Sequence, residues 1–95
     1  MRLEEYAIEI STWVTEKLAL RNISLLEVEE AICNFNGKIK EQKKPPHKTI
    51  PPTYYIVSET FDGKLLKIAF IVDQARKIVT IKTTYEPNEE ELSHE

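Results

Sequence analysis

Three lysines, Lys43, Lys44 and Lys48, stand within four residues of His47 in a proline-flanked loop, and Lys82 and Tyr85 follow on the last β-patterned run of the chain. An imidazole titrates near neutral pH and ammonium groups bind phosphate. Cleavage of RNA without a metal needs such groups: a base for the 2′-hydroxyl proton, an acid for the leaving oxygen, and cations to neutralise the phosphorane. Histidine, tyrosine and lysine fill those roles. A plainer account is open as well, with His47 a solvated loop side chain and the lysines keeping the loop soluble. Tyr54 and Tyr55 carry the same choice, between stacking on bases and packing the rim of a core.

Other chemistries find little in the residues. Gly37 and Gly63 are the two glycines of the chain, so it has no glycine-rich phosphate loop. Cys33, His47 and His94 are scattered without the spacing of a structural zinc site, and neither a metal nor a cofactor is expected. Cys33 paired with His47 would make a nucleophile. One residue from Ile32 on a helix face, however, Cys33 reads as a buried, inert thiol. Paired carboxylates for glycoside chemistry have no apolar pocket around them.

Ninety-five residues, 41% hydrophobic and 31% charged, suit one globular domain over 1–95 with a thin margin of stability that a homodimer interface would improve. The net charge of −3 is unevenly spread. Residues 1–37 carry three bases against seven acids, residues 38–48 five lysines against one glutamate, and residues 86–95 five glutamates and no base. That balance disfavours a general nucleic-acid coat and leaves room for a local phosphate site. Residues 88–95 read as a flexible acidic tail. The longest uncharged apolar stretch, Ile68 to Val72, is too short to span a bilayer, so no membrane contact is expected. Acids near the N-terminus in place of an apolar run, and a single cysteine, point to the cytoplasm.

Two helical segments precede the β-patterned half. Leu3, Tyr6, Ala7, Ile10, Trp13, Val14 and Leu18 recur at helical spacing through Leu20. Residues 5–10 fit a short edge strand equally well, with Ser11 or Thr12 capping a helix that begins there. Ser24-x-x-Glu27 is a capping box, stapled by Ile23 and Val28, for a helix from Leu25 to about Asn34 that ends at a left-handed Gly37. The turn at Arg21-Asn22 predicts an αα-hairpin. Lys38-Ile39-Lys40 suits a short strand, Thr53–Ser58 a second, and Asp62-Gly63 a hairpin turn. Leu65–Val72 reads as a central strand covered on both faces. Lys77–Tyr85 places Val79, Ile81 and Thr83 on one face and Thr80, Lys82 and Thr84 on the other. The expected architecture is α+β: two N-terminal helices packed on a three- to four-stranded antiparallel sheet.

Four segments carry a resemblance: Asn22-Ile23-Ser24 through Ala31; His47-Lys48-Thr49-Ile50-Pro51-Pro52-Thr53; Glu59-Thr60 with Gly63 to Ile68; and Lys82-Thr83-Thr84-Tyr85-Glu86-Pro87-Asn88. Together they resemble a family of small bacterial proteins commonly labelled ADP-ribosyl-(dinitrogen reductase) hydrolase, which is similar to BrnT-like toxins of the RelE ribonuclease-fold superfamily. The resemblance implies two helices against a curved antiparallel sheet whose open face meets RNA, an antitoxin as protein partner, and metal-free endoribonuclease activity. It places His47 and Tyr85 in catalysis and Lys82 on phosphate. Lys64 stands where similar chains carry an arginine, so it makes a point contact to phosphate in place of a bidentate fork. The alternative function is a non-enzymatic protein-interaction module of the same fold.

Overall fold

Ser11 starts the first helix as the local chemistry requires. In the computed structural model, which describes residues 3–41 and 53–87, the Ser11 hydroxyl accepts a hydrogen bond from the Val14 N–H at the head of α1 (Thr12–Leu20). Residues Ala7–Glu9 before it form strand β1, preceded by a 3₁₀ turn at Leu3–Glu5, so the strand alternative holds there. Helix α1 ends in a Schellman motif. The Ile23 N–H donates to Leu18 O and the Asn22 N–H to Ala19 O, with Asn22 at φ 59°. Helix α2 (Leu25–Cys33) carries the expected capping box: the Glu27 N–H donates to Ser24 Oγ, and the Ser24 N–H to Glu27 Oε1. Ile23 and Val28, its staple, are both buried.

Several local expectations are corrected. Asn34 caps α2 in the right-handed region, and Gly63 is the glycine with positive φ among the described residues, so Gly37 does not serve as a left-handed cap. The helices do not close as a tight αα-hairpin. Helix α1 packs chiefly on the last strand and α2 on the two middle strands and the 3₁₀ turn, because each helix finds its apolar partner in the sheet. Trp13 is 60% exposed, with the Lys17 ammonium 3.8 Å from its ring centroid; Val14 and Leu18 carry the buried side of α1 instead. Cys33 is exposed, not buried.

The sheet has five strands in the order β1-β5-β4-β3-β2, with β2 at Lys40–Glu41, β3 at Tyr54–Glu59, β4 at Leu65–Asp73 and β5 at Ile78–Tyr85. Strands β2 to β5 are antiparallel, but β1 runs parallel to β5, from Ala7 opposite Ile78 to Glu9 opposite Thr80. The wholly antiparallel sheet of three or four strands is thereby corrected to a mixed one of five. The chain reaches β1 from buried Leu3, with the Ala7 N–H donating to Lys77 O, so the N-terminal segment closes the outer edge of β5.

Both helices lie on one face of this sheet. Leu18, Val28, Ile56, Leu66, Ile68, Phe70, Val79 and Ile81 fill the space between the layers. Ser58 ties them together, its hydroxyl donating to Ala31 O at 2.7 Å. Strand β4 is central, as its composition demands, but only one of its faces is covered by a described helix.

Residues 60–64 join β3 to β4, with Phe61-Asp62-Gly63 at the tip. The Gly63 N–H donates to Thr60 O and the Thr60 N–H to Lys64 O, with Gly63 at φ 87°, a type I turn closed by a left-handed glycine. In β5 a bulge breaks the simple alternation. Ala69 faces Thr83 while Phe70 faces Ile81, which leaves Lys82 as the extra residue. Thr84 therefore joins Val79 and Ile81 in the core, and Thr83 and Tyr85 turn to the other face, the reverse of the strict alternation expected.

Candidate functional site

The helix-free face of the sheet collects the side chains that alternate with the core. Register places Lys40, Tyr55, Ala69 and Thr83 in one row across it and Val57, Lys67 and Tyr85 in the next. The Lys67 ammonium lies 4.5 Å from the Tyr55 ring centroid and 5.9 Å from that of Tyr85, within cation–π range of both. Ala69, opposite Tyr55 on β4, is buried. Stacking surfaces and a positive charge so combined are what single-stranded nucleic acid uses, because every base offers a π-face and every nucleotide a phosphate.

Sequence reasoning singled out Tyr55, Tyr85 and Lys82 but passed over Lys67. A signal was present. Lys67 is the one cation inside the apolar run of β4, where a core position on both faces would not tolerate it. Lys82, pushed out by the bulge, is exposed beside this face.

Lys64 lies elsewhere. Its ammonium donates to Asn22 O at 2.7 Å and pairs with Glu27 Oε2 at 3.1 Å, so it braces the β3–β4 loop against the turn between the helices. The Ser24 N–H, and then Lys64, hold the Glu27 carboxyl below its ordinary pKa. Lys64 is thus engaged at the turn between the helices, whereas Tyr85 and Lys82 stand on β5. His47, Lys43, Lys44 and Lys48 lie outside the described residues, as do the tail residues 88–95.

A concavity of about 510 Å³ opens at the far end of the sheet, by the β4–β5 turn, between Glu9, Ile71, Asp73, Arg76, Ile78 and Thr80. Two carboxylates on its wall make it a poor seat for phosphate. Asp73 is also engaged locally, accepting the Arg76 N–H at 3.1 Å. Among the described residues no three His, Cys, Asp or Glu side chains gather to hold a metal ion, and no helix is long and apolar enough to cross a membrane. Comparison with protein-family models, with curated proteins and with solved structures finds no match.

Proposed function

We propose that this chain is a toxin-like ribonuclease domain that takes single-stranded RNA on the helix-free face of its sheet. The observation that carries the reading is Lys67 between Tyr55 and Tyr85, with Lys82 exposed alongside. Two bases stack on the tyrosines, and the lysines meet the phosphates between them. His47 acts as general acid or base and Tyr85 as its counterpart in a metal-free transesterification, with an antitoxin protein as the natural restraint. A RelE- or BrnT-like arrangement is supported by the antiparallel body β2 to β5 beneath two helices, to which β1 is an added parallel edge.

The test uses the purified full chain, free of partner, with a labelled single-stranded RNA at low salt, alongside growth on induction. Cleavage and growth arrest are expected. His47→Ala should lower the cleavage rate roughly 10²–10⁴-fold, the usual contribution of a general acid–base group. A second reading has its own observation: Trp13, Leu20, Leu25, Leu26 and Phe61 are all exposed on the helices and the β3–β4 loop, a surface suited to a protein partner. If the parent neither cleaves RNA nor slows growth, the non-enzymatic interaction module replaces the ribonuclease.

A further inference from the structure

Arg21 sits just past the end of α1, on the helical side of the sheet, yet its guanidinium is fastened to β5. One nitrogen, Nη1, donates both to Thr83 Oγ1 at 2.8 Å and to Thr84 O at 3.0 Å. Strand β1 covers β5 only from Ile78 to Thr80, so these bonds fall where the outer edge of β5 has no neighbouring strand among the described residues. Nη2 and Nε make no bond among those residues, and Arg21 as a whole is exposed. The result is a guanidinium oriented through one of its nitrogens, with the remaining donors directed away from those bonds. Next to its anchor Thr83 stands Lys82, exposed by the bulge. An oriented guanidinium beside an exposed ammonium is a pairing suited to a phosphodiester: the planar donors set orientation and the lysine adds charge.

We infer that the edge of β5 beyond Thr80 is a phosphate subsite, in which Arg21 and Lys82 together hold one or two backbone phosphates of a nucleic-acid strand leaving the Tyr55–Lys67–Tyr85 platform. The inference rests on the proposed RNA reading and extends it round the sheet edge to a residue that no sequence motif singled out. The Thr83 hydroxyl acts as the positioning group, since it fixes Nη1.

The experiment measures binding of the full chain to a fluorescein-labelled 2′-O-methyl oligouridylate of about 12 nucleotides, which cannot be cleaved and falls within usual single-strand site sizes. Affinity is followed from low to high salt for the parent and for Arg21→Gln, Arg21→Lys, Lys82→Ala and the Arg21→Gln/Lys82→Ala pair, each checked by melting temperature. Arg21→Gln removes the charge, and because its amide is too short to take the place of Nη1 at Thr84 O, loss of the brace is read separately in the melting temperature. It should flatten the salt slope by about 0.7, the value of one single-strand phosphate contact, and the pair by about twice that. Arg21→Lys should restore most of the slope. A parent-like slope in Arg21→Gln, with only its melting temperature lowered, would show Arg21 to be a structural brace and overturn the subsite while leaving the RNA reading in place. A parent that binds the oligomer with no salt dependence, or not at all, overturns both.

Discussion

Thr84→Val is the substitution that reports most directly on how β5 is set into the sheet. Thr84 is fully buried, and its Oγ1 has no hydrogen-bond partner among the described residues, although its backbone carbonyl accepts from Arg21. An unpaired buried hydroxyl carries a desolvation cost of about 1–3 kcal/mol. Valine has nearly the same shape, keeps the β-branched backbone preference, and replaces that hydroxyl with a methyl worth roughly 0.8 kcal/mol on burial. Allowing for partial relaxation around the larger methyl, the variant should be more stable by about 1 kcal/mol. For a domain of this size that corresponds to a melting temperature higher by about 4–8 °C. Thr84→Ser keeps the hydroxyl and loses the methyl, so it should fall below the parent, giving the order Val, Thr, Ser. Urea denaturation followed by tryptophan fluorescence, with the slope checked for constancy, measures all three. A Thr84→Val protein less stable than the parent would mean that Thr84 faces solvent or that its hydroxyl is bonded. The first would refute the bulge at Lys82 as the device that turns Thr84 inward; the second would refute only the unpaired state of the hydroxyl.

The remaining predictions concern the joints of the helical layer. The Glu27 carboxyl is held below its ordinary pKa in the folded chain, so its contribution is present above its unfolded value and lost as pH falls through the folded one; urea midpoints of Glu27→Gln should therefore converge on those of the parent at acid pH and lie below them at neutral pH. Gly63→Ala should cost about 1–2 kcal/mol in denaturant midpoint, and the cost is one of backbone alone, because a Cβ there meets no atom within 4 Å at φ 87°; an unchanged midpoint would place the left-handed residue elsewhere. Ser58→Ala removes the buried bond to Ala31 O and should lower stability by about 1–2 kcal/mol, with a loss near zero counting against that tie between β3 and α2.

What could be read from the chain alone is what forms within a few residues of itself. The Ser24–Glu27 box, the Ile23–Val28 staple and the glycine of the β3–β4 loop are satisfied by neighbours in sequence, and each is where the spacing placed it. The β-branched and apolar runs at Thr53–Ser58, Leu65–Val72 and Lys77–Tyr85 marked strands for the same reason, and the strands lie at Tyr54–Glu59, Leu65–Asp73 and Ile78–Tyr85. Long-range partners were not legible. Whether Ala7–Glu9 coils or extends depends on the open edge of β5, some seventy residues away, which supplies the parallel pairing that a short segment cannot supply for itself. The shift of Thr83, Thr84 and Tyr85 comes from fitting β5 to β4 across a bulge, and no alternation in one strand discloses an extra residue opposite another. The same holds for the candidate site. Tyr55 and Tyr85 were visible as aromatics, but Lys67 joins them only because three strands align. Nor did spacing disclose that Lys64 pairs with Glu27 and Asn22, or that Arg21 reaches the edge of β5, since both contacts join segments far apart in the chain. Local hydrogen-bonding and steric preference act through the chain's own neighbours and are written in its order; register, edge and face are settled by surfaces that meet only when the sheet closes on its helices.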